Sequence, residues 1–312
     1  MNKDEIYIKL REKSQLKRLP VPKNIELYSC DGVLNITMCN ILGGDNKNGI
    51  TGNMQENGTA FEAYSIIIKS YLPEIAQKII ISWKGVPKIE KRYDHYIRFI
   101  YRAFHFAESY AWVTLNPIDQ LAKDDLEEFK QELPFWIINA PTKEAEVIAH
   151  KPEAKLERLL LKQLKGEYGQ QFPMGLFYKI KSEKSRRTPG RNSGIDLWTL
   201  YDNIFSIYEL KIDNNKKVGI ISELMFYVNV IKDIVDYKIN FVKGADKINF
   251  RNYQIFYNSV ISNNINRVKG VFLANFFHPL ISKNKEAILE ILNQNKRNLE
   301  YSHLKIDSNF NY

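Results

Sequence analysis

The chain has little cysteine, glycine or proline and no long apolar run. Its 312 residues include 2 Cys, 15 Gly and 11 Pro. Cys30 and Cys39 are too few for a disulfide framework, and no histidine pair at ligand spacing accompanies them, so a structural zinc site is excluded as well. Two buried thiols are the expected state. No stretch reaches transmembrane length, Ile79-Ile-Ile-Ser-Trp83 being too short and broken, and Met1-Asn-Lys-Asp-Glu5 lacks the charged-then-apolar pattern of a leader. The expectation is a cytoplasmic protein with no membrane partner. Neither an internal repeat nor a low-complexity tract is apparent.

What the chain does carry is positive charge. The formal net charge is +9 and the pI about 9.2, on a composition that is 44% hydrophobic and 26% charged. That is ordinary for one large globular domain or two smaller ones. Within residues 179–191, Lys179, Lys181, Lys184, Arg186, Arg187 and Arg191 face only Glu183, and Lys216 and Lys217 add to the excess after Lys211. A surface of that sign attracts a polyphosphate backbone; a solvated basic loop is the plainer alternative.

The charges that least suit their surroundings are Asp196, Glu209 and Lys211, inside Gly194-Ile-Asp-Leu-Trp-Thr-Leu-Tyr-Asp-Asn-Ile-Phe-Ser-Ile-Tyr-Glu-Leu-Lys211. Residues 194–201 and 204–212 read as strands, and Asp202-Asn203 as a two-residue hairpin turn. Residues equidistant from such a turn face each other, so Asp196 lies opposite Glu209 on one side of the pair, and Lys211 shares that side. Two carboxylates so placed repel unless a cation or a shared proton intervenes, and a divalent metal is the economical answer. A partly exposed strand end, with a surface ion pair and a turn-capping Asp196, is the alternative.

An Asp, then an acidic residue one position before a Lys, on adjacent strands, resembles the PD-(D/E)xK nuclease superfamily. The resemblance covers roughly residues 153–280. The family usually has Pro before its first Asp, where this chain has Ile195. It implies hydrolysis of phosphodiester bonds, with Asp196, Glu209 and Lys211 catalytic, Mg²⁺ or Mn²⁺ held by Asp196, Glu209 and the Leu210 carbonyl, and Lys211 orienting the attacking water. The family often adds an acidic ligand from a preceding helix. Here that is Glu157, with Glu153 competing, in the amphipathic stretch Pro152–Leu164, although an ordinary solvated glutamate also fits.

The flanking elements are expected to complete an α/β, restriction-endonuclease-like core of helix, three strands, helix and strand. Gln171–Ile180 reads as the first strand, Val218–Val235 as a buried helix, Val268–Phe277 as a further strand, and Asn284–Asn295 as a helix. Glu223 and Tyr227 stand one turn apart, as in the Gln-x-x-x-Tyr element of the exonuclease branch, with Glu replacing Gln; a Glu solvated beside a buried Tyr is the alternative.

The N-terminal region, residues 1–150, is expected to be mainly helical and to serve recognition or partner binding, with the nuclease-like domain at 151–312. Ile25–Leu42 reads as a strand pair around Asp31-Gly32. The loop Gly43–Gly52 is neither a P-loop nor a calcium loop, because Ile50 and Lys47 occupy the deciding positions. Helices are expected over Thr59–Ile80, Tyr93–Thr114 and Pro117–Leu133. The second interleaves aromatics with Arg92, Arg98, Arg102, His95 and His105, a pattern that favours core packing over nucleic-acid stacking. The third, with Asp124, Asp125, Glu127 and Glu128, should face solvent or a protein partner. The sequence thus points to a metal-dependent nuclease, with DNA as substrate on the resemblance alone. A silent nucleic-acid-binding subunit and a protein-interaction module are the alternatives, and oligomerisation is open.

Overall fold

The computed structural model describes residues 1–19, 22–39, 49–144, 157, 159–161, 163–179, 186–189, 194–211, 217–274 and 277–304. They group into two units. One comprises Met1–Gln131, Lys216–Glu223 and Phe277–Arg297; the other Glu132–Asn215, Leu224–Phe276 and Asn298–Tyr312.

The first unit begins with helix α1 (Lys3–Ser14), whose start is a capping box between Asn2 and Glu5. Strands β1 (Ile25–Cys30) and β2 (Val33–Met38) form the expected antiparallel pair, and the turn residues Asp31 and Gly32 have φ of 49° and 76°. Positive φ at both central positions is what an Asp-Gly hairpin turn supplies. Helix α2 (Phe61–Tyr71) leads to β3 (Lys78–Trp83), and α3 (Tyr93–Ser109) to β4 (Val113–Pro117). Strands β2, β3 and β4 are parallel, in the order β1-β2-β3-β4.

Helices still predominate in the N-terminal region, but its sheet has four strands where the sequence suggested one strand pair. Two of the expected helices end early, at Tyr71 and Ser109, and their last residues belong to strands. Pro73 stops α2, and the β-branched run at Ile79–Ile81 is a buried parallel strand, whose unbroken apolar pattern periodicity alone does not separate from a buried helix. In α3, Arg98, Arg102 and His105 are buried, and Phe61 stacks edge-on against Phe99 and Phe106, in keeping with core packing. Arg102 donates to both carboxylate oxygens of Glu62 and to the Thr59 carbonyl, while Ser222 donates to Glu62. Helix α4 (Gln120–Glu132) does not turn all its acids outward: Asp125 is buried, accepts from the Tyr93 hydroxyl at 3.3 Å, and has its carboxyl pushed up by that burial. The thiols also differ from expectation, with Cys30 exposed and Cys39 half-buried, because Cys30 ends β1 on its outward face.

The second unit is built on a five-stranded sheet, in the order β13-β12-β10-β9-β6. Its members are β6 (Glu167–Pro173), β9 (Gly194–Tyr201), β10 (Ile204–Lys211), β12 (Arg267–Ala274) and β13 (Leu299–Leu304). β6, β9 and β10 run antiparallel in succession, and β10, β12 and β13 are parallel. Helix α5 (Ile220–Val235) connects β10 to β12. A Cβ on Gly270 would meet Val228 at 2.8 Å and Leu224 at 3.1 Å, so glycine lets α5 lie close on β12. Helix α6 (Tyr253–Ile261) adds Phe256, which packs on Phe172 and Phe205. A separate small sheet joins β5 (Ile137–Ile138), β7 (Leu176–Lys179), β8 (Arg186–Arg187) and β11 (Asn240–Phe241).

Gln171–Ile180 is therefore not one strand. It is broken at Pro173-Met-Gly175, β6 entering the large sheet and β7 the small one. Strand β13 follows the Lys285–Asn293 helix without having been foreseen. Taken together, the described residues form a mixed α/β protein, and no helix among them is long and apolar enough to cross a membrane.

Candidate active site

The hairpin register matches the arithmetic of its turn. Asp202 and Asn203 have φ of 52° and 58°, and the ladder runs from Ile204–Tyr201 to Tyr208–Leu197. Beyond that pair a side chain takes over, since the Leu210 N–H donates to Asp196 Oδ2 at 3.0 Å. The ladder on the other side of Asp196 is interrupted too. β6 pairs with β9 through Gln170–Leu197 and Phe172–Ile195, skipping Gln171, whose φ is 51°. Asp196 thus sits where both neighbouring strands leave regular pairing. Gly194 permits this, because a Cβ there would stand 1.7 Å from the Phe172 carbonyl oxygen.

Strand alternation puts Asp196, Glu209 and Lys211 on one sheet face with Trp198, Phe205 and Ile207. Parallel pairing of Ile207 with Gly270 makes this the face that α5 covers. Glu209 is 1% exposed and Asp196 half-buried, and Lys211 Nζ donates to Glu209 Oε1. Leu210 points the other way, into a cluster with Leu160, Leu197 and Leu273.

That cluster also places the preceding helical residues 157 and 159–161. Leu160 packs on the Leu210 face, opposite the one bearing Asp196 and Glu209. Glu157 lies 3.4 and 3.5 Å from the Gln171 amide, and among the described residues no three His, Cys, Asp or Glu side chains gather closely enough to hold a metal. Asp196 and Glu209 are brought onto adjacent strands of one face; Glu157 is not gathered with them. Gln171, whose amide lies beside Glu157 and whose backbone is the position skipped in the ladder with β9, was not anticipated, and nothing in its sequence context marks it. Gly194 did carry a signal, a glycine inside a strand pattern.

Of the basic residues, Lys184, Arg191 and Lys216 lie outside the described residues, as does Glu153, and Arg186 is described only as backbone in β8. The half-buried Arg187 holds its guanidinium 5.8 Å from the Phe177 ring centre, and Lys217 is paired with Glu56 at 2.8 Å. Glu223 is not solvated: it is 1% exposed and accepts from the Gln55 amide, while Tyr227 is buried beyond it on α5.

The chemistry of the donors fits a hard cation. Two carboxylates and a main-chain carbonyl are all oxygen, and Mg²⁺ is commonly held by one or two carboxylates while keeping several waters, so a third acid is not required. No protein-family model matches the chain, and neither the curated proteins nor the solved structures contain a match.

Proposed function

We propose that the second unit is a metal-dependent nuclease that hydrolyses phosphodiester bonds, with DNA as the substrate. The observation that carries this reading is the placement of Asp196 and Glu209 on adjacent antiparallel strands of one face, with Lys211 ion-paired to Glu209. The order of helical residues, β6, β9, β10, α5 and β12 supports it, being the helix, three strands, helix and strand that the PD-(D/E)xK resemblance implies. The smaller sheet containing β7 and β8 is an addition to that core. The preference for DNA comes from the resemblance.

In this reading Asp196, Glu209 and the Leu210 carbonyl would hold Mg²⁺ or Mn²⁺. When bound, the metal supplies a water of lowered pKa and neutralises charge on the phosphate. Lys211 Nζ, on the same face as both carboxylates, would orient the attacking water and offset the negative charge that builds up as phosphorus becomes five-coordinate. The burial of Glu209 keeps its carboxylate in a low-dielectric setting, where its interactions with cations are stronger than in water. Arg187, with its neighbour Arg186 on β8, would attract the backbone.

The test is cleavage of plasmid and linear DNA by the full chain with Mg²⁺, with Mn²⁺ and with chelator, alongside the Asp196→Asn variant. Metal-dependent cleavage lost in the variant supports the reading. Binding without metal-dependent cleavage would identify a silent nucleic-acid-binding subunit instead, and no affinity for nucleic acid at low salt would favour a protein-interaction module.

A further inference from the structure

We propose that the chain contains two copies of one structural unit, and that the N-terminal copy has lost the charged pair, leaving one metal centre per chain. The four strands β1, β2, β3 and β4 correspond in order and sense to β9, β10, β12 and β13. Each set is an antiparallel hairpin followed by two parallel strands, each new strand lying beside the last. Crossovers are free to place a strand at either edge of a growing sheet, so an identical order and sense at every step is one arrangement among several.

The registers agree as well as the order. Both hairpins turn on two residues of positive φ, Asp31-Gly32 and Asp202-Asn203. Val33 pairs with Lys78 as Ile204 pairs with Arg267, and Met38 with Trp83 as Glu209 with Phe272. In the next step Ile79 pairs with Val113 as Val268 pairs with Leu299. The helices that follow the hairpins share a residue pattern at equal spacing. Thr59, Phe61, Tyr64, Ile67, Ile68 and Lys69 in and before α2 match Ser222, Leu224, Tyr227, Val230, Ile231 and Lys232 in α5. Both tyrosines are buried. The second copy has acquired β6 to β8 ahead of its hairpin, and β11 and α6 between α5 and β12.

Equivalence through the turn puts Ile25 at the place of Asp196 and Met38 at that of Glu209. Ile25 and Met38 are partners in the ladder and are 1% and 2% exposed. Two buried apolar side chains offer no oxygen to a hard cation. Thr59–Lys69 and Ser222–Lys232 retained the packing pattern while the hairpin lost its carboxylates, as expected of a copy kept for its fold. The loss of a metal centre rests on the nuclease reading; the duplication does not.

A crystal structure of the full chain grown with Mn²⁺, with anomalous scattering recorded, tests both parts. The expected result is that the two four-strand sets superpose strand for strand with Met38 on Glu209 and Trp83 on Phe272, and that anomalous density sits at Asp196 and Glu209 with none at Ile25 and Met38. Superposition with no manganese anywhere would leave the duplication standing and remove the metal from the nuclease reading. Manganese at the Ile25 hairpin would overturn the proposal, as would sets that match only after a strand is reversed, exchanged or shifted.

Discussion

The Leu210 N–H donates to Asp196 Oδ2 at 3.0 Å, so one proposed metal-binding carboxylate is also a tie between β9 and β10. The two roles separate by substitution. Asp196→Asn keeps an oxygen acceptor for Leu210 and loses the charge, whereas Asp196→Ala loses both. Cleavage should fall at least ~10²-fold in both variants, and only the alanine variant should also lose about 1 kcal/mol of stability, the usual worth of such a bond. Plasmid cleavage and thermal melts measure the two effects, and an active Asp196→Asn would refute the metal role. Lys211→Ala should likewise abolish cleavage while low-salt DNA binding persists.

In the proposed site Leu210 would offer the metal its carbonyl, while its side chain lies in the core. Leu210→Ala removes the side chain from a cluster with Leu160, Leu197 and Leu273. It should cost about 2–5 kcal/mol in urea unfolding, as large-to-small core changes do. Since the carbonyl remains, turnover per folded molecule under stabilising conditions should stay within a few-fold of the parent. A complete loss of turnover in a folded variant would count against the core assignment.

The Glu62–Arg102 pair in the first unit is almost fully withdrawn from water, at 2% and 3% side-chain exposure. Removing one partner leaves a buried charge without its counterpart, so Glu62→Leu and Arg102→Met should each destabilise by about 3–5 kcal/mol. The double variant should lose less than either single one. Denaturant midpoints of the three variants decide it; strictly additive losses would show that the two groups do not interact.

His95 sets an acid limit on the first unit. Its Nδ1 lies 3.1 Å from both the Gly52 carbonyl oxygen and the Arg98 guanidinium. Burial first, then Arg98 and Arg92, lower its pKa from 6.5 to about 3. The folded state thus keeps this imidazole neutral while the unfolded chain takes up a proton below about 6.5, so stability is full above that pH and falls as pH drops toward 3. The slope from this one group is at most about 1.4 kcal/mol per pH unit. His95→Gln should flatten the decline in melting temperature between neutral and mildly acidic pH; an unchanged decline would exclude His95 as its source.

Basic contacts are read by salt. If Arg186 and Arg187 approach a phosphate backbone, each alanine variant should lower affinity for DNA of any sequence and reduce the slope of log affinity against log salt by about 1. Fluorescence anisotropy over a salt series measures this. Slopes identical to the parent would place DNA elsewhere on the chain.

The hairpin at the candidate site was legible because a two-residue turn and strand alternation together fix which residues meet. Asp202-Asn203 could close only one register, and with it came the shared face of Asp196, Glu209 and Lys211. The helix Ile220–Val235 was equally plain, being of helical length and largely apolar. The strands Lys78–Trp83 and Val113–Pro117 were not: each follows closely on a true helix, and the apolar run Ile79–Ile81 suits either element. Glu157 illustrates a different limit: its amphipathic stretch was recognisable, but not that Gln171 would lie beside it.

Cues lying within a few residues of one another were enough for the two hairpins and the charged pair across one of them, and composition alone for the net basic charge. Tertiary structure alone decided which strands became neighbours across long separations, that Leu160 packs behind Leu210, that Gln171 lies beside Glu157, and that Ile25 and Met38 occupy in one sheet the places of Asp196 and Glu209 in another. Sheet order and face depend on burial shared among segments far apart in the chain, and no local pattern of side chains encodes it.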